Sequence, residues 1–284
     1  MNTRLLVDSA CDLPEDLIAK YDIEVLPFVI NVDKESFLDG EEITTSEVFA
    51  AMEENREIST DQVKPGLIME SFKKQLEDGF NVLYLAFSGK LSGTYQTASM
   101  VAEEMMKEYP EMNIDVVDTK SGSVATGILA QKTAALLEKG RKRKHVLNKL
   151  QNWIDRIEHI FVLDDLEALR KGGRIGRAKS MVGNFLKVKP LLALKDGEII
   201  LESKVRGSAR ALQGMINFFQ KKCDSVSGKS VGISHANDRS RAEKLKENLE
   251  EMGADIFCVE MINSVLGVHL GQGGVGLFFL GDDS

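Results

Sequence analysis

Ser92, Thr60 and His269 are polar side chains in loop-like settings far apart along the chain, and spacing alone assigns them no reaction. Ser92 stands in Ser88-Gly89-Lys90-Leu91-Ser92-Gly93-Thr94, a run of small and polar residues between an apolar stretch and an amphipathic one. Such a junction leaves backbone N–H groups and hydroxyls free to face an anion at a helix N-terminus, and a phosphate and a carboxylate both qualify. Capping the helix is the simpler role for Ser92. Thr60 lies just before a helix that begins near Pro65, where a turn or cap is the simpler role. His269 sits in Val-His-Leu-Gly ahead of a glycine cluster, and a packed core histidine is the simpler role there. As nucleophile and base, Ser92 and His269 would serve a hydrolase or transferase acting on a small anion. That pair needs an orienting acid near His269, and the spacing supplies none.

Other motifs lack the context their chemistry needs. Gly271, Gly273 and Gly276 satisfy GxGxxG, but Val275 to Leu280 reads as a strand, so no helix N-terminus meets a pyrophosphate. Gly228, Ser230 and Gly232 match GxSxG, yet Ser230 opens a strand rather than a helix. Gly228-Lys229-Ser230 has the tail of a P-loop, with Cys223 where the first glycine is required. No HExxH or EF-hand spacing occurs, so no metal, nucleotide or other cofactor is expected. Cys11, Cys223 and Cys258 are too sparse for a disulfide framework, which fits a reducing cytoplasm. Acidic residues outnumber basic ones 44 to 36, for a net charge of -8, which argues against a nucleic-acid partner. The basic cluster Lys139, Arg141, Lys142, Arg143 and Lys144 has no interleaved aromatics and reads as solvated surface. No run of about 18 apolar residues occurs, so no integral membrane span is expected, with transient membrane contact left open.

These residues need elements to position them. The chain has 284 residues, 43% of them apolar, enough for roughly two domains with a substantial core. Strands are expected at Arg4 to Val7, Ile23 to Val32, Asn81 to Phe87 and Ile114 to Val117, with Pro27 suggesting an edge or bulge in the second. Helices are expected at Pro14 to Lys20, Val48 to Glu54 behind a Thr44/Glu47 capping box, Pro65 to Asp78, Thr94 to Tyr109 and Val124 to Glu138. That order reads as an α/β domain with a mostly parallel sheet, whose ligands sit beyond the strands' carboxyl ends. Asp8-Ser9, Ser88-Gly89 and Asp118-Thr119 mark those ends. The second half reads as an α/β domain with a mixed sheet. It has strands at Ile160 to Leu163, Ser230 to Ser234, Ile256 to Glu260 and Val275 to Leu280, and a hairpin about Asp196-Gly197. Helices fall at about Ala209 to Lys222 and Asp238 to Met252. We place the domains at residues 1–155 and 156–284. From the residues alone, the chain reads as a soluble two-domain α/β protein with an anion-binding loop.

The sequence also resembles the DegV family of bacterial fatty-acid-binding proteins over nearly its whole length. Asp8-Ser9-Ala10-Cys11-Asp12-Leu13, Ser92-Gly93-Thr94-Tyr95-Gln96 and Asp118-Thr119-Lys120-Ser121 match that family's motifs in order. So do Leu166-Glu167, Arg170-Lys171-Gly172-Gly173-Arg174-Ile175, Lys187 to Leu191 (KVKPL), Lys204-Val205-Arg206-Gly207, and Gly267-Val268-His269 with Gly271. The resemblance implies a carrier rather than an enzyme. It would hold a long-chain fatty acid while a separate kinase phosphorylates the carboxylate for phospholipid synthesis. It assigns the carboxylate to Thr60, Ser92 and His269, supported by Gly93, Thr94 and Gly271. Arg170, Lys171, Arg174, Lys204 and Arg206 then become the basic candidates for a kinase-docking face. Where the family usually reads Thr-Ser-Gln-Pro, this chain has Thr60-Asp61-Gln62-Val63. An aspartate facing a carboxylate would repel it, so either Asp61 points away or the head-group geometry differs.

Overall fold

The computed structural model describes residues 2–164, 166–177 and 188–282; Lys187, which opens the KVKPL run, lies outside them. In chain order the first half runs β1 (Thr3–Asp8), α1 (Glu15–Tyr21), β2 (Glu24–Leu26), β3 (Val29–Val32), β4 (Glu35–Leu38), α2 (Thr45–Glu53) and β5 (Ile58–Asp61). It continues through α3 (Pro65–Glu77), β6 (Asn81–Ala86), α4 (Thr94–Glu108), β7 (Ile114–Asp118), α5 (Ser123–Glu138) and α6 (Arg143–Arg156). Strands β2-β1-β6-β7 form a sheet in which every pairing is parallel, as the alternation of strands and helices predicts. Thr44 caps α2 with the expected box: its hydroxyl accepts from the Glu47 N–H, and the Glu47 carboxylate accepts from the Thr44 N–H at 2.8 Å.

Ile23 to Val32 does not form one strand. Pro27 has no N–H to give a ladder, and the chain changes sheets there. β2 stays in the parallel sheet, whereas β3 pairs antiparallel with β4 and β5 in a separate three-stranded sheet. The sequence reading contains no such sheet. Strands β4 and β5, ESFL and ISTD, are too short and polar to stand out by apolar pattern.

The second half runs β8 (Ile157–Val162), α7 (Glu167–Lys171), β9 (Lys189–Lys195), β10 (Glu198–Val205) and α8 (Ser208–Lys222). It ends with β11 (Ser230–His235), α9 (Arg239–Glu251), β12 (Asp255–Met261), α10 (Ser264–Leu270) and β13 (Val275–Leu280). Its mixed sheet has the order β10-β9-β8-β13-β11-β12, with β11 and β12 parallel and the remaining pairs antiparallel. Asp196 and Gly197 join β9 to β10 with φ of 51° and 81°, the two positive angles that favour Asp-Gly in a tight hairpin. Ser230 is the exposed first residue of β11, so GxSxG forms no strand-to-helix elbow.

Alternation gives the mixed sheet two apolar faces. Ile160, Val162, Val231, Ile233, Leu277 and Phe279 pack under Met215 and Phe219 of α8 and Leu245 and Leu249 of α9. On the other face, His159, Phe161, Gly232, Ser234, Gly276 and Phe278 look toward the first half. α5 lies between the two sheets, contacting β1 on one side and β8, β11 and β13 on the other. Its segment Ser123 to Ala130 is buried without interruption, the pattern of a helix that is apolar all round. Val124 sits where a Cβ on Gly232 would be, which brings helix and sheet into close contact.

Candidate functional site

Beyond the carboxyl ends of β6 and β7, an apolar cavity of about 580 Å³ opens against the inner face of the mixed sheet. Phe87, Phe161, Leu163, Leu194 and Phe278 wall it. An adjoining cavity of about 440 Å³ is bordered by Thr60, Ser92, Arg174 and His269. The two share Phe87, Leu91, Ile199, Leu266 and Leu270, so a polar mouth leads into an apolar chamber. Thr60, Arg174 and His269 also border an open surface groove of about 1510 Å³.

Thr60 is placed by β5, where the alternation leaves Ile58 and Thr60 partly buried and Ser59 and Asp61 exposed. Its Oγ1 lies 2.8 Å from Nε2 of His269, across 209 residues of chain. Asp61 is exposed and borders the same cavity, and its carboxylate accepts a hydrogen bond from the Asn31 amide at 2.8 Å. His269 sits in the last turn of α10, a helix absent from the sequence reading. Its signal was Asn263, whose side chain accepts from the Leu266 N–H at 2.9 Å and caps the helix. Gly271 (φ +73°) ends α10 just past His269. Gly172 lies so close to His269 that a Cβ there would collide with Nδ1. The glycine pair after α7 therefore permits its approach to α10.

His269 Nδ1 is buried and has no hydrogen-bond partner among the described residues. Burial, reinforced by the charge of Arg174, lowers the His269 pKa to about 4, so the ring is neutral near pH 7. Its bonded neighbour is Thr60, so Ser92 and His269 do not form a nucleophile–base hydrogen bond here. Ser92 instead belongs to a hydroxyl chain. The Val63 N–H donates to Thr94 Oγ1 at 3.4 Å, and Thr94 Oγ1 lies 2.9 Å from Ser92 Oγ. Either hydroxyl can donate in that pair, and where Thr94 donates, the Ser92 proton is left for the cavity. Gly93, the N-cap of α4, lies beneath the Gln62 amide, which donates to Thr97 Oγ1 at 2.9 Å. Gln62 was not among the expected site residues.

The model of the DegV family matches residues 2–282. The chain belongs to the DegV family. A DegV domain-containing protein of Clostridium perfringens is 30% identical over 282 residues, covering 98% of this chain and 97% of its own. A solved Thermus thermophilus structure, described as fatty acid binding of a DegV family protein, is 29% identical with a TM-score of 0.91, over 99% of this chain and 100% of that one. The Streptococcus pneumoniae Fatty Acid Kinase (Fak) B3 protein, loaded with linoleic acid, shares the fold at 20% identity with a TM-score of 0.86, over 99% of this chain and 100% of its own.

In this DegV chain the five basic residues lie in three settings. Arg170 and Lys171 are exposed on α7, and both pair with Glu167. Arg174 turns inward, where its guanidinium donates to the carbonyls of Leu91 (3.1 Å) and Gly172 (2.7 Å) at the polar mouth. Lys204 and Arg206 are exposed at the Lys189 end of β10 and border neither the mouth nor the groove. Among the described residues, no group of His, Cys, Asp and Glu could hold a metal ion. No described helix is long and apolar enough to cross a membrane.

Proposed function

We propose that this chain binds a long-chain fatty acid and presents its carboxylate to a separate kinase. The acyl chain fills the apolar chamber and the carboxylate stays at the polar mouth. One observation carries this reading: the mouth joins a hydrocarbon-lined chamber on one side and an open groove on the other. The solved Thermus thermophilus relative, described by its fatty acid binding, supports the ligand class.

Each methylene withdrawn from water contributes about 0.8 kcal/mol, so the chamber supplies affinity. The carboxylate, losing hydration, needs donors in its place. Ser92 donates with its relayed proton. A neutral His269 holding its proton on Nε2 donates to Thr60 Oγ1, which leaves the Thr60 proton for the ligand. Arg174 adds a positive charge beside them. Residues 1–155 and 156–284 act as two domains in this account, with Thr60 and Ser92 from the first and His269 and Arg174 from the second.

From the groove, a carboxylate oxygen attacks the γ-phosphorus of ATP held by the kinase, and ADP leaves. The acyl phosphate then enters phospholipid synthesis, a cytoplasmic reaction sequence. The carrier does not perform that chemistry itself. A Ser–His hydrolase fits less well, because His269 bonds Thr60 and no carboxylate orients its Nδ1. Native mass spectrometry followed by organic extraction tests the ligand: near-stoichiometric fatty acid is expected. Folded protein that carries none and ignores added fatty acid would sink the proposal.

A further inference from the structure

The wall of the chamber that the β9–β10 hairpin supplies is held differently from the rest. β9 pairs with β8 through Leu191, Leu192 and Ala193. Its pairing with β10 runs on to Lys195 opposite Glu198. β10 is the edge strand of the mixed sheet. Beyond Ala193 the hairpin therefore leaves the sheet as a two-stranded ribbon, a unit that is marginal on its own in water. Leu194 and Ile199 are register partners in that ribbon, and both line the apolar chamber. Ile199 is 3% exposed and also borders the polar mouth, so the ribbon reaches the junction of the two.

The tip of the ribbon rests on the first half. The fully buried Ser88 hydroxyl donates to the Gly197 carbonyl at 2.9 Å. The fit is close: Gly197 has a φ of +81°, and a Cβ there would meet Ser88 Oγ at 2.6 Å. Ser88 Oγ also accepts from the Lys90 N–H at 3.3 Å, and the Ser88 carbonyl accepts from the N–H groups of Leu91 and Ser92, each at 3.0 Å. One residue thus holds the ribbon down and belongs to the loop that carries Ser92. On the outer side Arg177 pairs with Glu198 at 2.9 Å, an exposed contact that adds little. Lifting the tip uncovers chamber and mouth together and breaks no pairing with β8. It costs the Ser88 hydrogen bond and the apolar contacts of Leu194 and Ile199, which an arriving acyl chain replaces. We propose that the β9–β10 ribbon is the strap past which the fatty acid enters and leaves, with Ser88 as its latch. The proposal rests on the fatty-acid reading above and adds how that site is loaded.

Delipidated protein is mixed with cis-parinaric acid, a fluorescent long-chain acid, and uptake, release to excess albumin and affinity are measured. Ser88→Ala frees the tip without altering a residue that lines the chamber. Uptake and release should both quicken about fivefold, the effect of losing one hydrogen bond, with affinity held within about twofold. Ser88→Cys with Gly197→Cys closes the latch covalently on oxidation. The oxidised pair should exchange the acid about tenfold or more slowly than the same protein after reduction, because a fixed lid gates both steps. Comparing the two redox states cancels any strain that the cysteines introduce. If that pair does not fold, Ser88→Ala decides alone. Wild-type exchange rates in Ser88→Ala, or equal rates in the oxidised and reduced pair, overturn the strap and leave the carrier reading standing. So does a loss of affinity carried by faster release alone, since Ser88 would then act on the bound carboxylate through the Ser92 loop. Failure of the acid to bind the wild-type protein overturns both.

Discussion

Asp12 Oδ1 accepts from both the backbone N–H of Asn263 (2.9 Å) and its side-chain amide (2.8 Å), across 251 residues. Asn263 in turn caps α10, the helix that carries His269. The buried carboxylate of the opening Asp-Ser-Ala-Cys-Asp segment thus sets where the second half places its histidine. Asn263→Ala removes the cap and takes the side-chain amide donor from Asp12, while the backbone N–H at 263 stays. We expect a loss of about 1–3 kcal/mol in denaturant unfolding. Fatty-acid affinity should fall with it, because Thr60 and His269 lose their register. Unchanged stability and affinity would show that α10 is held by packing alone.

Asp12 also gives the fold a pH dependence with a definite sign. Burial raises its pKa from 3.8 to about 7, even though Ser123 and Asn263 hydrogen-bond it. Between those values the native state binds more protons than the unfolded one, so the Asp12 contribution is lost as pH rises through about 7. Each unit of that elevation costs about 1.4 kcal/mol above the transition. Asp12→Asn keeps the shape without the charge. Relative to wild type it should gain stability from pH 5 to pH 8, then hold that gain at higher pH. His159 and His269 act in the opposite sense, since their lowered pKa values cost stability as pH falls below 6.5. Both proteins contain them, so the difference isolates Asp12. A stability difference that is flat with pH would place the Asp12 pKa near its ordinary value.

At the mouth, Thr60→Ala, Ser92→Ala and His269→Ala should each weaken fatty-acid binding by about 1–3 kcal/mol, measured by titration of delipidated protein. The hydroxyl chain makes a finer distinction. Thr94→Val keeps the volume but removes the hydroxyl bonded to Ser92. It should therefore cost affinity although Thr94 does not border the cavity. Ser92→Ala in the Thr94→Val background should then add little, because the two act in series. Fully additive losses would break the relay.

Asp61 offers the converse test. Asp61 borders the mouth, but the residue is exposed and its carboxylate is bonded to Asn31. Asp61→Ser should leave affinity within about twofold and stability within about 0.5 kcal/mol. A tenfold gain in affinity would mean that its charge reaches the ligand.

Much of this architecture was legible in the sequence where apolar runs were long. β6 (NVLYLA) is buried along its whole length, and the Asp-Gly turn carries its own backbone instruction. What stayed hidden depends on contacts between distant residues. Nothing local in ISTD says that Thr60 joins a three-stranded sheet, because the strand is fixed by β3. The motif pieces located Ser92 and His269, but not the Thr60–His269 bond or the inward turn of Arg174. An arginine beside a glycine pair reads as surface charge, whereas here the Leu91 and Gly172 carbonyls accept its hydrogen bonds. The cap of α10 is carried by Asn263, four residues before the Gly267–Gly276 cluster begins.

The final prediction concerns the groove and the charges around it. If the proposed kinase docks here, it reaches the mouth from the side where Thr60 and His269 border the groove, and Lys171 borders that same groove. Lys171 is 73% exposed at its side chain, with Arg170 beside it at 50%, so both are available to an acidic partner. Arg174 is different, because its guanidinium is spent on the mouth itself. Charge reversal should therefore separate two functions. Arg170→Glu with Lys171→Glu should slow acyl phosphate formation by the cognate kinase and ATP while fatty-acid affinity stays intact. The defect should shrink as salt rises, because exposed charges are screened within about 8–10 Å. Arg174→Glu should weaken binding of the acid directly, by placing a carboxylate against a carboxylate. Lys204→Glu with Arg206→Glu should do neither, since those residues border neither the mouth nor the groove. Rates are read as acyl phosphate formed per minute beside a binding titration at matched salt. If the Lys204 and Arg206 pair slows the kinase and the Arg170 and Lys171 pair does not, the docking face lies on the β10 side of the molecule.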